Sequence, residues 1–204
     1  MYVSGVRKHA VKKVGRVRAG VRGRSSVAPH SDARAHEGEQ RVFSVVAPAI
    51  VLGALFSFPG TPPGDAIGVK MYGNTEGLAL CPPSPNCISS SSEPNDSTHY
   101  APALRTPKGQ SPEQAAGDIK SVLASASYDN FTPQLQTKDG RYVYATFSSP
   151  TFNFTDDVEA LVRSDGSVLL RSASRLGEND NGINSKRITA LQNDLKAKGF
   201  AVAE

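Results

Sequence analysis

The chain has 204 residues, which is enough for one ordinary domain with extensions. Its net charge of +4 comes from residues 1–66, which carry ten Lys or Arg against four Asp or Glu, whereas residues 67–204 carry 13 basic and 15 acidic residues. Because the later part has no basic stripe, the composition argues against nucleic-acid binding by a folded domain.

A basic leader occupies residues 1–41. Its stretch VRKHAVKKVGRVRAGVRGRSS has no acidic residue and no apolar period. This composition is typical of organelle transit peptides and also of disordered basic arms. We therefore predict a disordered, transit-like leader.

An apolar segment follows the leader. Val42–Phe58 is 17 residues long without a charge, which fits a signal segment and also the lower limit for a membrane-spanning helix. Pro48 inside it, and a small-x-small triplet that ends at Ala66, favour a cleaved thylakoid-transfer signal over residues 42–66. The predicted cut lies between Ala66 and Ile67, and retention as a membrane anchor is the alternative.

The order of these two segments predicts where in the cell the protein is located. A basic transit region before an apolar signal is the layout of a nucleus-encoded protein sent through the chloroplast stroma into the thylakoid lumen. An ordinary secretory signal with a long basic leader is the alternative. Three Asn-x-Ser/Thr sequons would then accept glycan, at Asn95, Asn130 and Asn153.

Residues 67–110 are rich in Pro, Ser, Asn and Gly, which predicts an extended lead-in that wraps a domain without forming its core. The lead-in carries both cysteines of the chain, in CPPSPNCISS. Two cysteines and His99 are too few for a metal site of about four ligands, so we predict no metal and no other cofactor. A Cys-His dyad is one remaining interpretation. The favoured one, in an oxidising compartment, is a disulfide between Cys81 and Cys87 that pins the lead-in to the domain.

Residues 111–204 predict an α+β domain. A capping box opens a first helix after Ser111, and a second helix begins at Asn184 or Ser185 and ends at Gly199. Between them, alternation and turn residues predict about four antiparallel strands, in chain order NFTPQLQT, RYVYATF, DDVEALVR and SVLLRSAS. Such a sheet would bury one face beneath the two helices.

Asp-Gly pairs predict hairpin turns at Asp139–Gly140 and Asp165–Gly166. With a two-residue turn at the second pair, Asp156 would face Arg175 across the strands as an ion pair. A three-residue loop would reverse the faces of one strand relative to the other. On the two-residue register, the other face of the sheet gathers four polar side chains: Asp157, Glu159, Ser172 and Ser174.

The chain carries, in this order, the stretches CPPSPNCISS, HYAP, FNFTDDVEALV and RSASRLGENDNGINSKRI, followed by the closing amphipathic helix. Together they resemble the domain-of-unknown-function 1499 family, in the family's order and over roughly residues 78–199. The stretch RSASRLGENDNGINSKRI is the densest match, although the chain departs from the usual pattern at Glu178, Asn179 and Asn181. The resemblance implies a domain found in bacteria and photosynthetic organisms, without an established reaction.

The charged side chains of this densest stretch form the candidate site. One interpretation is a polar pocket that binds a small anion through guanidinium groups and their neighbours: Arg171, Arg175, Asp180, Asn184 and Arg187. Asp157 and Glu159 would serve there as acid and base or hold a cation. The other interpretation is a structural ion-pair network in which Asn184 caps the last helix, and the lack of an evident nucleophile favours it.

These observations favour a non-catalytic, thylakoid-lumenal binding or accessory module over an enzyme. Its expected partner is a protein at or near the thylakoid membrane, such as a photosynthetic complex, or a small anionic ligand. One alternative is a small hydrolase or isomerase that uses Asp157 and Glu159 on an Arg-bound anionic substrate. Another is a membrane-anchored protein that keeps Val42–Phe58.

Overall fold

The structure is a computed structural model that describes residues 57–137 and 140–203. The predicted leader, almost all of the apolar segment and the turn residues Lys138 and Asp139 lie outside the described residues. Within the described part, no helix is long and apolar enough to cross a membrane.

The first helix, α1, spans Pro112–Ser125 and begins as its sequence predicts. The Ser111 hydroxyl accepts a hydrogen bond from the Gln114 backbone N–H, and the Gln114 side chain accepts one from the Ser111 N–H. These reciprocal bonds complete the predicted capping box. The buried residues of α1 share one face: Ala115, Ala116, Ile119, Val122 and Leu123. This apolar stripe packs against the sheet.

Two sheets are formed by the nine strands of the described residues. The strands are β1 Lys70–Tyr72, β2 Thr75–Gly77, β3 Cys87–Ser89, β4 Leu104–Arg105, β5 Thr132–Leu135, β6 Tyr142–Ser148, β7 Thr155–Val162, β8 Ser167–Ser174 and β9 Ala201–Val202. β1 and β2 form a separate hairpin. The other seven form one antiparallel sheet in the order β5-β6-β7-β8-β4-β9, with β3 also paired to β8. The α+β class is confirmed, but the sheet has seven strands rather than about four.

The three additional strands of the large sheet come from the lead-in and the C-terminal end. β3 pairs with Arg171–Ala173 of β8, β4 pairs with Ser167–Val168 of the same strand, and β9 pairs with β4. Ile88 of β3 and Leu104 of β4 belong to the main apolar core. The expectation of a lead-in outside the core was therefore wrong, because its short strands complete the exposed edge of β8.

The β7–β8 hairpin closes through a three-residue loop. The Arg163 N–H donates to the Ser167 carbonyl at 2.8 Å, and the loop ends at Gly166, whose φ of 79° lies in the left-handed region that glycine favours. The predicted two-residue register was therefore wrong by one position. As a result, Glu159 rather than Ala160 faces Arg171.

The two faces of the large sheet have different chemistry. One face is apolar and lies beneath both helices, with Val158 of β7 and Leu170 of β8 in its core. The other face, called here the polar face, carries Tyr142 and Glu159. The lead-in covers the polar face, since the Gly68 N–H donates to Glu159 at 2.8 Å. All of β7 is consequently buried, on both of its faces.

The second helix, α2, spans Ile183–Ala197 and begins one residue before Asn184, the earlier of the two predicted starts. Its residues Ile188, Leu191 and Leu195 are buried in the core, as predicted. The chain leaves the helix through Gly199, where φ is 93°. Both helices therefore pack on the apolar face of the sheet, and the lead-in covers the polar face.

Candidate functional site

Two carboxylates lie on the polar face, as the alternation of β7 predicts. Asp157 is 2% exposed and Glu159 is fully buried. Ser172 and Ser174, which were expected beside them, lie on the opposite face because the register differs by one position. The carboxylates instead face two other residues of β8: Ala173 and Arg171.

Glu159 is held by three donors. Its Oε1 accepts hydrogen bonds from the Tyr142 hydroxyl at 2.7 Å and from the Gly68 N–H at 2.8 Å. Its Oε2 accepts one from Arg171 Nη1 at 2.9 Å, and both side chains of this ion pair are buried. Burial raises the pKa of Tyr142, and the negative charge of Glu159 raises it further.

Asp157 is held by a guanidinium fork. Arg175 donates to it through Nε at 3.1 Å and Nη2 at 2.8 Å, and the Tyr144 hydroxyl donates at 2.7 Å. Burial first, and then the hydrogen bond to Asp157, raises the pKa of Tyr144 to about 12. Arg175 Nη1 also donates to the Gly60 carbonyl at 3.3 Å, which ties the lead-in to the sheet. Each carboxylate oxygen of Asp157 and Glu159 thus accepts at least one hydrogen bond.

The predicted ion pair between Asp156 and Arg175 was wrong, because the register places these residues on opposite faces. Asp156 lies beneath the helices, where its Oδ2 is 2.9 Å from Arg187 Nη2. The fully buried Arg187 guanidinium lies 4.9 Å from the ring centroid of Phe131 and 5.0 Å from that of Phe147. Burial raises the pKa of Asp156 and lowers that of Arg187, and their mutual attraction opposes both shifts.

Asn184 connects the sheet, the lead-in and α2. It accepts a hydrogen bond from Arg187 Nη1 at 2.9 Å and donates to Ser174 Oγ and to the Asn86 carbonyl, both at 2.9 Å. Its predicted role as the helix cap was wrong. The N-cap position is Gly182, which has no side chain, and the Asp180 carboxylate accepts the Asn184 backbone N–H at 2.6 Å. The buried side chain of Asn184 is therefore a junction between elements.

Glu178, Asn179 and Asn181 lie in the loop before α2. Asn181 has φ of 55°, a left-handed conformation that asparagine adopts more readily than most residues. Its N–H donates to Asn179 Oδ1 at 2.7 Å, and Glu178 is exposed. Asn179 and Asn181 therefore support a local turn.

A cavity of about 460 Å³ lies between the polar face and the lead-in. Asp157, Arg171 and Ala173 line it from the sheet, and Lys70 lines it from β1. The Nε of Arg171 is buried without a hydrogen-bond partner among the described residues, as is the Nε of Arg187 on the other side of the sheet. Lys70 Nζ donates to the Ile67 carbonyl at 3.1 Å. Because a buried donor without an acceptor is unfavourable, the arginine that lines this cavity has unused hydrogen-bonding capacity.

The predicted disulfide joins Cys81 and Cys87, whose Cα atoms are 5.5 Å apart. Both cysteines line the cavity, and Cys87 pairs with Ala173 on β8. The bond therefore fastens the lead-in wall of the cavity to the sheet, as predicted. No thiol remains for a dyad with His99, whose Nδ1 lies 2.6 Å from a carboxylate oxygen of Asp96.

The structure divides the predicted ligand-binding residues between the two sides of the sheet. Arg171 lines the cavity, and Arg175 lies on the same face, bound to Asp157. The other three belong to α2 and the loop before it: Asp180, Asn184 and Arg187. In the described part of the chain, no three His, Cys, Asp or Glu side chains are placed to hold a metal ion.

Lys70 and both tyrosines of the polar face were not predicted from the sequence. Lys70 lies in a stretch without periodicity, which gives no signal for its position. Tyr142 and Tyr144 had a usable signal, because they repeat the two-residue spacing of Asp157 and Glu159 on the neighbouring strand. Matching these two spacings would have predicted the polar face.

The chain matches a protein family whose function is not known. The model of the family described as "Protein of unknown function (DUF1499)" matches residues 77–195. No curated protein and no solved structure matches the chain. The matched range is more than half of the chain and contains the polar face, the disulfide and most of α2. The chain therefore belongs to the DUF1499 family, as the stretch from Arg171 to Arg187 had indicated.

Proposed function

We propose that this protein is a non-catalytic binding module whose cavity on the polar face takes a small amphiphilic anion. The observation that carries the proposal is that Arg171 lines the cavity and that its buried Nε has no hydrogen-bond partner among the described residues. A guanidinium donor in a largely desolvated site favours a carboxylate, phosphate or sulfonate group as its acceptor.

The charges around the cavity are compatible with an anion. Glu159 and Asp157 are each neutralised by an arginine, so their charges do not repel a ligand strongly. Lys70 contributes a further cation, whereas Asp65 is exposed at the rim. The remaining lining includes apolar side chains such as Leu80, which would contact the body of the ligand.

The hydrogen bonds of the two carboxylates argue against the alternative of a hydrolase or isomerase. A general base needs a lone pair within reach of the substrate proton. Every oxygen of Asp157 and Glu159 accepts a bond from the protein itself, and Glu159 is fully buried beneath Gly68 and Tyr142. The two side chains are therefore better suited to holding the lead-in on the sheet than to transferring a proton.

Calorimetry with octyl phosphate tests the proposed cavity. We expect saturable binding at one site, no binding of octylammonium, and affinity about tenfold weaker in Lys70→Ala, because one charge-assisted hydrogen bond is lost. Ala173→Leu should abolish binding, since the larger side chain fills space beside Arg171. Ala124→Leu, on the exposed side of α1, is the matched control and should bind as the unmodified protein does.

Three results would overturn the proposal. One is a lack of saturable binding by the unmodified protein. Another is undiminished binding by Ala173→Leu, which would place the octyl chain elsewhere on the surface. The third is equal affinity for octylammonium, which would remove the role of the arginine.

We propose the thylakoid lumen as the location, on the basis of the two-part leader and of a disulfide that requires an oxidising compartment. Asn95, Asn130 and Asn153 are all exposed, so a secretory route would leave every sequon accessible. We expect the protein from its natural source to carry no glycan. Intact mass before and after enzymatic deglycosylation measures this, and a loss of mass would indicate the secretory route.

A further inference from the structure

Four apolar side chains form an exposed surface, the aromatic patch, at one end of the large sheet. Its members are Phe58, Phe152, Phe154 and Leu176, each 42–46% exposed. The Phe154 ring lies 5.8 Å from that of Phe58 and 5.9 Å from that of Phe152. Phe154 and Leu176 line the same small cavity of about 260 Å³, so the patch is continuous. A contiguous exposed apolar surface of this kind is typical of an interaction site.

The chain enters the domain through this patch. The Phe58 N–H donates to the Phe152 carbonyl at 2.8 Å, and Asn153 Nδ2 donates to Ser57 Oγ at 2.9 Å. Gly60 packs so closely on the domain that a Cβ added there would lie 2.8 Å from Leu176 Cγ. These contacts fix the path of residues 57–60 against the folded domain.

Phe58 belongs both to the uncharged apolar segment and to the aromatic patch. It is the last residue of the uncharged segment Val42–Phe58, and it stacks within the aromatic patch. A membrane that holds this segment must therefore come within one or two residues of the patch. Phenylalanine and leucine side chains are suited to the boundary between lipid headgroups and acyl chains.

We propose that the apolar segment is retained and that the aromatic patch rests in the interfacial layer of the membrane that holds it. Lipid contacts the aromatic patch, and the domain lies directly on the bilayer surface. The proposal is independent of the ligand cavity, which could be empty or filled without affecting it.

The contacts of residues 57–66 argue against the predicted cut between Ala66 and Ile67. Cleavage there would remove Phe58 from the patch and the Gly60 carbonyl from Arg175. It would also remove three residues that line the cavity on the polar face: Pro63, Asp65 and Ala66. A segment with this many contacts behaves as part of the domain.

Because the chain has no tryptophan, a single Trp reports on one position. We would introduce it as Phe154→Trp in the full chain and reconstitute this variant into phosphatidylcholine vesicles. One set of vesicles would contain lipid brominated near the headgroup end of its acyl chains, and the other set would not. We expect brominated lipid to quench Phe154→Trp strongly. Val202→Trp is the matched control, since Val202 is 46% exposed on the edge strand β9, which is three strands away from β7, and it should not be quenched. Thermal unfolding of both variants verifies their fold.

Unquenched, blue-shifted emission of Phe154→Trp would overturn the proposal and indicate that the apolar segment itself covers the patch. Unshifted, unquenched emission would overturn it as well, since the patch would face water. Equal quenching of both variants would show non-specific adsorption and would also count against it. Mass spectrometry of the natural protein gives a second readout. A first residue at or before Val42 supports retention, and loss of any part of Val42–Phe58 overturns it.

Discussion

Replacing Arg187 by alanine is expected to lower the free energy of unfolding by about 5 kcal/mol. The Arg187 side chain is fully buried, and its partner Asp156 is 5% exposed, so the substitution leaves a buried carboxylate without its cation. It also opens a space against the rings of Phe131 and Phe147. Urea unfolding measures the loss. A second variant, Arg187→Met, removes the charge but retains most of the side-chain volume, which keeps the test usable if the alanine variant does not fold.

Two controls separate the charge from the packing. In the double variant Asp156→Asn with Arg187→Met no charge is left unpaired, so we expect it to recover more than half of the stability lost in Arg187→Met. Lys186→Ala changes an exposed cation on the same helix and should alter stability by no more than about 0.5 kcal/mol. If Arg187→Met unfolds at the same urea concentration as the unmodified protein, Asp156 does not depend on its cation.

Elements with local signals were predictable from the sequence. The capping box at Ser111 and the stripe through Leu123 lie within one helix, so neighbouring residues determine both. The same holds for the alternation in β6 and β7 and for the disulfide loop between Cys81 and Cys87. In each case the physical cause acts over a few residues.

The short strands were not predictable in the same way. β3, β4 and β9 are two or three residues long, which is too short to show an alternating pattern. They become strands because β8 and then β4 offer unpaired backbone groups to them. The partner lies tens of residues away along the chain, and no local signal records it.

The register of the β7–β8 hairpin was predictable in principle. An Asp-Gly pair at Asp165–Gly166 suits a two-residue turn or the end of a three-residue loop, so the turn alone does not decide. The strand residues decide the register. The two-residue register places Arg171 opposite Ala160, whereas the three-residue register places it opposite Glu159. Charge complementarity therefore favours the register that is observed.

The register also explains why the candidate residues divide as they do. Asp156 and Asp157 are adjacent on β7, so they point to opposite faces and bind different arginines, Arg187 and Arg175. Most charges of the stretch from Arg171 to Arg187 are thereby used inside the protein. Arg171 and Arg187 each bury an Nε that has no hydrogen-bond partner among the described residues, but only Arg171 also lines the cavity, while its Nη1 holds Glu159. The same side chain thus supports the fold and supplies the proposed ligand site.

Glu159→Gln is expected to lower the free energy of unfolding by about 3 kcal/mol at neutral pH. Glutamine keeps an acceptor for the Tyr142 hydroxyl and the Gly68 N–H, but it cannot balance the charge of the buried Arg171. Denaturant unfolding measures the difference. Glu178→Gln, which neutralises an exposed carboxylate in the loop before α2, is the control and should have little effect.

The same variant should also change the stability at alkaline pH. The pKa of Tyr142 is raised in the folded protein, and that of Tyr144 is raised to about 12 from an ordinary value of 10.0. Above pH 10 the unfolded chain releases tyrosine protons that the folded protein keeps, so stability falls as pH rises through this range. Glu159→Gln removes the second-largest cause of the Tyr142 shift, and its stability should therefore fall less steeply above pH 10. An equal slope in both proteins would show that Glu159 does not act on Tyr142, and an unchanged stability at neutral pH would show that Arg171 does not need its partner.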